Sequence, residues 1–147
     1  MLTVLRVLVT IVHIIHLGGE GIVQIDKMSG KPLFEQVILG VKQDILRGIL
    51  NPGDKILSVR EMAAQLMINP NTISKAYKVL EEEDVIVTVR GKGTFVKQLD
   101  TETRNDKQIN KLKQQFIELV IEASYLNIKE EELIQWIEES SHYFRRS

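Results

Sequence analysis

Four hydrogen-bonding side chains, Asn71, Thr72, Ser74 and Lys75, crowd five positions inside the stretch NPNTISKAY (69–77). Asn69 is a strong helix N-cap, and Pro70 suits the first helical position. A helix is therefore expected to start here with polar side chains on its first turns. Its apolar residues Ile73, Ala76, Tyr77 and Leu80 fall on one stripe. Arg60 lies upstream, and Arg90 and Lys92 downstream. These groups make no nucleophile–base pair. They are donors and acceptors suited to base edges and phosphates. A helix N-terminus adds free N–H groups and a partial positive charge that favour an anion. The plain alternative is that these residues only cap an exposed helix, so the flanking elements have to decide.

Upstream, KPLFEQVILGVKQDILRGIL carries Phe34, Val37, Ile38, Val41, Ile45 and Ile49 at helical spacing. The turn NPGD at 51–54 ends that helix. Ser58 and Glu61 have the spacing of a capping box, so a second helix starts near Val59 with Val59, Met62, Ala63 and Leu66 as its buried stripe. Asn69-Pro70 follows so soon that the second and third helices must be joined by a tight turn, with the third running from Pro70 to about Glu82. Two short helices so joined are a helix-turn-helix, whose second helix presents its N-terminal residues to the major groove. Arg60 and Ser58 then sit at the mouth of the motif, Ser58 first as a cap and second as a phosphate ligand.

After EEED the period changes. VIVTV (85–89) and TFV (94–96) are strand-like and flank RGKGT (90–94), which predicts a hairpin. RGKGT lacks the G-x-x-x-x-G-K-[ST] spacing of a nucleotide-binding loop and does not precede a helix. It reads better as a wing tip, with Gly91 and Gly93 making the turn, Arg90 and Lys92 reaching phosphates, and Thr94 beside them.

From about Asp106 the chain is helical again. Ile109, Leu112, Phe116, Leu119, Ala123 and Leu126 form a heptad-like seam. NIKE (127–130) resembles a capping box opening a last helix that carries Leu133, Ile134, Trp136, Ile137 and Phe144. Two helices of this size make a poor domain alone. A second copy of the chain, packed on Ile109, Leu112, Phe116, Leu119, Ala123, Leu126, Leu133, Trp136 and Ile137, is the expected cover.

The 147 residues are 44% hydrophobic and 27% charged, with no cysteine, which excludes disulfide and thiolate metal sites. The absence of cysteine also fits a reducing cytoplasm. Net charge is -1, but residues 55–97 hold seven Lys/Arg against five Asp/Glu, whereas 100–147 hold seven against ten. Any nucleic-acid site must therefore rest on local charge. The opening MLTVLRVLVTIVHIIHL is apolar. It is shorter than the ~20 residues of a membrane span and interrupted by Arg6, His13 and His16. It also lacks a clear signal-peptide cleavage site. A third reading is that residues 1–21 are an extension that is not native protein. GGEG is what a purine-rich ribosome-binding site would give if translated, with the protein starting at Val23. His13 and His16 have no carboxylate or thiolate beside them, so no metal site is expected.

GILNPGDKILSVREMAAQLMINPNTISKAYKVLEEEDVIVTVRGKGTFV, with KPLFEQV before it, resembles the DNA-binding domain of the GntR family of bacterial transcription regulators. The resemblance covers about residues 31–97 through PGD, SVRE, NPNT, AY..LE and GKGTFV. It implies that Arg60, Asn71, Thr72, Ser74, Lys75, Tyr77, Arg90, Lys92 and Gly93 fall at or beside DNA-contacting positions. The short tail resembles the small YtrA-like subfamily, whose tails serve dimerisation and whose genes often sit with ABC transporter operons. Two positions depart from the family pattern, which usually has Pro at 57 and often Gly at 84. The resulting expectation is a mainly α protein with a small β-hairpin: an extension over 1–21, a winged helix-turn-helix over 22–99 and a two-helix dimerisation tail over 100–147. Its expected partners are double-stranded DNA and a second copy of itself, with no membrane, cofactor or metal, and no residue pattern specifies a small-molecule effector. Sequence-specific regulation in the cytoplasm, with repression as the family default, is the leading reading. A winged helix used only to bind protein is the alternative, and it would call for exposed apolar residues at 71, 72, 74 and 75, where all four are polar. No Ser-His-Asp set or cofactor loop suggests an enzyme.

Overall fold

The computed structural model describes residues 23–98 and 105–144, so the reading of the segment 1–21 falls outside the described residues. The chain divides into two compact units, with the boundary in sequence after residue 99. The first contains α1 (Leu33–Leu46), β1 (Lys55–Ile56), α2 (Val59–Leu66), α3 (Pro70–Glu82), β2 (Ile86–Val89) and β3 (Gly93–Val96). The second contains α4 (Asp106–Tyr125) and α5 (Glu130–Phe144).

The first unit is built around α3, which packs against α1, α2 and β2. Ile73, Ala76, Tyr77 and Leu80, the stripe seen in the sequence, are all buried there. They meet Val37, Ile38 and Val41 of α1, Met62 and Ala63 of α2, and Ile56, Ile86 and Val96 of the sheet in one core. Burying side chains of this size contributes about 1.5–3 kcal/mol each. Val23 also belongs to the core, which the periodicity of a single preceding residue could not announce. It lies so close to α1 that a Cβ on Gly40 would meet its Cγ1 at 2.5 Å.

The expected hairpin is the larger part of a three-stranded antiparallel sheet ordered β1-β3-β2. Lys55 pairs with Phe95 and Ile56 with Thr94, while β2 pairs with β3 from Ile86↔Val96 to Val89↔Gly93. A two-residue strand is too short to show alternation, so β1 was invisible as a pattern. The NPGD turn fastens to the same strand: Gly53 N–H donates to Val96 O, and Val96 N–H donates to Asp54 O, both at 2.9 Å.

The helix ends share one device. In α1, α2, α3 and α4 a left-handed residue, Gly48, Met67, Asp84 or Asn127, lets two successive N–H groups turn back onto the last helical carbonyls. Asp84 thus takes the conformation where the family often has Gly, and Lys97 pairs with its carboxylate. Met67 has no such compensation in its side chain, which is exposed. The same device corrects the expected NIKE box. Asn127 terminates α4, and α5 is opened two residues later by Lys129, whose N–H donates to Glu132 Oε2 at 3.1 Å.

One buried charge stands out. Asp44, 4% exposed in the last turn of α1, has a carboxylate oxygen with no hydrogen-bond partner. Burial pushes its pKa up to about 6, against the opposing pull of Arg47. The folded pKa lies above the unfolded value, so folding favours the protonated acid. Asp44 therefore costs stability above about pH 6, and that cost fades as pH falls toward 4. Asp44→Asn should raise unfolding stability at pH 7 by on the order of 2 kcal/mol. Urea unfolding of both proteins should show the gain vanishing near pH 4; an equal gain at both pH values would mean that the carboxyl is not the source.

Candidate nucleic-acid interface

The N-terminal end of α3 is assembled as its sequence suggests. Asn69 Oδ1 accepts from Asn71 N–H at 2.8 Å, and Thr72 N–H donates to Asn69 O at 2.9 Å. With Pro70 lacking an N–H, the first turn is closed by the cap and the remaining polar side chains are free of it. Asn71, Ser74 and Lys75 are exposed, and Thr72 is half-buried.

The adjoining α2 begins in a full capping box. Ser58 Oγ accepts from Glu61 N–H at 3.3 Å, and Ser58 N–H donates to Glu61 Oε2 at 2.8 Å. The Ser58 side-chain and backbone bonds hold the Glu61 carboxyl below the usual range. Ser58 is thus occupied as a cap, while Arg60, two residues on, is exposed at the opening of the motif. The tight turn between α2 and α3 is held from outside by Lys27, whose Nζ donates to Met67 O at 3.1 Å.

At the wing, Lys92 N–H donates to Val89 O at 3.0 Å and Gly91 has φ of 77° at the bend. Only a residue without Cβ takes that conformation freely. Arg90 and Lys92 flank it, both exposed. Gly93 carries a second constraint, because a Cβ there would meet Lys55 Cε at 2.6 Å. The Lys55 side chain therefore lies across the base of the wing, a feature that no local motif around Lys55 signals.

Two residues expected at the contact surface lie inside instead. Tyr77 is 4% exposed, and its hydroxyl donates to Leu57 O at 2.6 Å. Burial pushes its phenol pKa up. Tyr77 is a strut between α3 and the segment before α2, because its place in the apolar stripe outweighs its polar tip. Thr94 is also buried, and its hydroxyl meets that of Thr88 at 3.1 Å across the strands. It faces inward because the register of β3 alternates its side chains.

The first unit thus exposes a polar helix end, an arginine and a basic wing on a winged helix-turn-helix. Residues 33–96 match the family model described as bacterial regulatory proteins, gntR family. A repressor of Bacillus subtilis, the HTH-type transcriptional repressor YtrA, is 44% identical over 119 residues, covering 81% of this chain and 92% of its own length. The chain belongs to the GntR family. The chain is similar to a crystal structure of a transcriptional antiterminator from Listeria monocytogenes EGD-e, at 35% identity and a TM-score of 0.80, covering 84% of this chain and 92% of that one. It is similar too to YtrA from Sulfolobus acidocaldarius, a GntR-family transcription factor, at 31% identity and a TM-score of 0.54, covering 66% of this chain and 98% of that one. The GntR match makes this chain a DNA-binding transcriptional regulator, and the family and these relatives are regulators rather than enzymes. No helix among the described residues is long and apolar enough to cross a membrane.

The strut reading of Tyr77 separates from a contact reading by experiment. Tyr77→Phe should lower stability by about 1 kcal/mol, the usual net value of one hydrogen bond. Chemical denaturation should show that loss while the order of preferred DNA sequences stays unchanged. A changed preference at unchanged stability would return the hydroxyl to the DNA-contacting surface.

Proposed function

We propose that this GntR regulator is a homodimeric repressor that reads a palindromic operator, with α3 in the major groove and the wing on the adjoining backbone. Asn71, Thr72 and Ser74 contact base edges, Arg60 contacts a base or phosphate, and Arg90 and Lys92 hold phosphates, with Gly91 and Gly93 allowing the wing backbone to come close. The observation that carries this reading is the shared exposure of Arg60 at the start of α2, Asn71 and Ser74 at the start of α3, and Arg90 and Lys92 on the wing. Their polarity disfavours a purely protein-binding winged helix. The similarity to YtrA supports repression, and the resemblance to its subfamily supports an operator at an ABC transporter operon.

The dimer is supported by what the tail leaves bare. Among the described residues, α4 and α5 do not pack along their lengths. Leu112 and Leu119 are each 66% exposed, Leu126 is 67% exposed, and Phe116, Trp136 and Ile137 are about half exposed. Ala123 is buried, and Ile109 and Leu133 are intermediate. A groove of about 470 Å³ between the helices is lined by Phe116, Leu119, Val120, Leu133, Trp136 and Ile137. An apolar surface of this kind marks an interaction site. A second copy would cover it with the same seam, and two-fold symmetry would match two half-sites one helical turn, about 34 Å, or a multiple of it apart.

Selection from random DNA followed by salt-titrated binding tests both parts. Wild type should recover a palindrome and bind it far above a scrambled duplex, with affinity falling steeply with salt. Arg60→Ala should weaken binding, and Asn71→Ala with Ser74→Ala should flatten the preference by about 1–3 kcal/mol per lost base contact. Leu112→Glu with Leu119→Glu should sediment as a monomer and bind a full palindrome poorly. Equal binding to every duplex, or a wild type that sediments as a monomer, would sink the corresponding part.

A further inference from the structure

Lys75 and Phe34 come from different helices, and the Lys75 ammonium lies 3.7 Å from the centroid of the Phe34 ring. Phe34 sits in the first turn of α1, half-buried and packed against the core. The ring is therefore the fixed member of the pair. Lys75 is exposed on the second turn of α3, on a flexible four-carbon stem. A cation over an aromatic face at this distance is held by the negative potential of the ring. Lys75 is thus the one polar side chain of the stretch 71–75 whose charge is tied back to another helix by a ring contact.

This changes what Lys75 can read. Asn71 precedes it by one helical turn and shares its side of α3. Unlike the Asn71 amide, the ammonium of Lys75 is drawn sideways to the start of α1. A duplex seated on α3 presents base edges along the helix and phosphates along its flanks. A point charge held on the flank meets phosphate. We propose that Phe34 is a positioning residue that holds Lys75 as a phosphate clamp, so that Lys75 supplies affinity without sequence preference. The proposal rests on α3 being the DNA-reading helix, and it divides the polar stretch by role: Asn71, Thr72 and Ser74 choose the sequence, and Lys75 fixes the register.

The test uses the full chain, the duplex recovered by selection and a scrambled duplex of the same length. Lys75→Met should weaken both duplexes by the same factor and lower the slope of log affinity against log salt by about one per bound subunit. Phe34→Leu should weaken both by the same factor, up to about fivefold, the most that an exposed cation–ring contact can contribute by positioning the lysine. In the Lys75→Met background, Phe34→Leu should have no further effect, and Phe34→Tyr, which keeps the ring, should bind as wild type. A ring that serves only the core would predict the opposite: its loss would weaken binding equally with or without the lysine. That outcome overturns the proposal, as does a Lys75→Met protein that changes the ratio between the two duplexes at an unchanged slope. Should Phe34→Leu fail to fold, Phe34→Met, which keeps bulk without the ring, takes its place in both lysine backgrounds and decides in the same way. Wild type that binds neither duplex removes the DNA-reading assignment of α3 and this proposal together, whereas wild type that binds normally with ring-independent variants removes only the latter.

Discussion

The docking of α3 by Ile73, Ala76, Tyr77 and Leu80 is the constraint on which the rest of the first unit depends. One stripe of a single helix is the common floor for α1, α2 and the sheet. Because that stripe is fully committed inward, the remaining side chains of the first turns can be chosen for recognition without cost to the core. The Tyr77 hydroxyl extends the same docking to Leu57 O, so the start of α2 and Arg60 are referenced to α3 through a buried hydrogen bond. The proposed recognition surface, spread over α2, α3 and the wing, would thereby be held by one packed helix.

The turns between helices show how compactness is reached. Left-handed residues reverse the chain after α1, α2, α3 and α4, and only the first of them is glycine. A non-glycine residue in that conformation costs roughly 1–2 kcal/mol. The gain is that two backbone donors per turn are satisfied by the helix they have just left. This keeps the α2–α3 connection short enough for the helix-turn-helix geometry. At Asp84 the charge pair with Lys97 links the same turn to the residue after β3.

The two units differ in kind. The first has a closed core of aliphatic and aromatic side chains, whereas the second leaves large apolar residues of α4 and α5 in solvent. A small helical pair cannot bury enough surface to stand alone. Its exposure supports the proposed homodimer, in which the acidic tail from residue 100 onward serves assembly and the first unit meets DNA.

The sequence by itself is enough to place the helices, the caps of α2 and α3, the wing and the boundary near residue 99. Those features are written in local signals: Asn69-Pro70 and Ser58…Glu61 act within one helical turn, and the stripes of α1 and α3 repeat at 3.6 residues. Asn71, Ser74, Arg60, Arg90 and Lys92 were legible as surface groups because nothing in their neighbourhood needed them inside. What the tertiary structure alone decided are the long-range meetings. Val23 enters the core against Gly40, Lys55 crosses Gly93, β1 joins β3, and Lys75 rests on Phe34. Thr94 faces inward because the register of β3 is set by its neighbouring strands, whereas Tyr77 keeps the buried place its own stripe gives it. A short-range pattern can name which residues are able to hydrogen-bond or carry charge, but only packing settles which of them are left facing out.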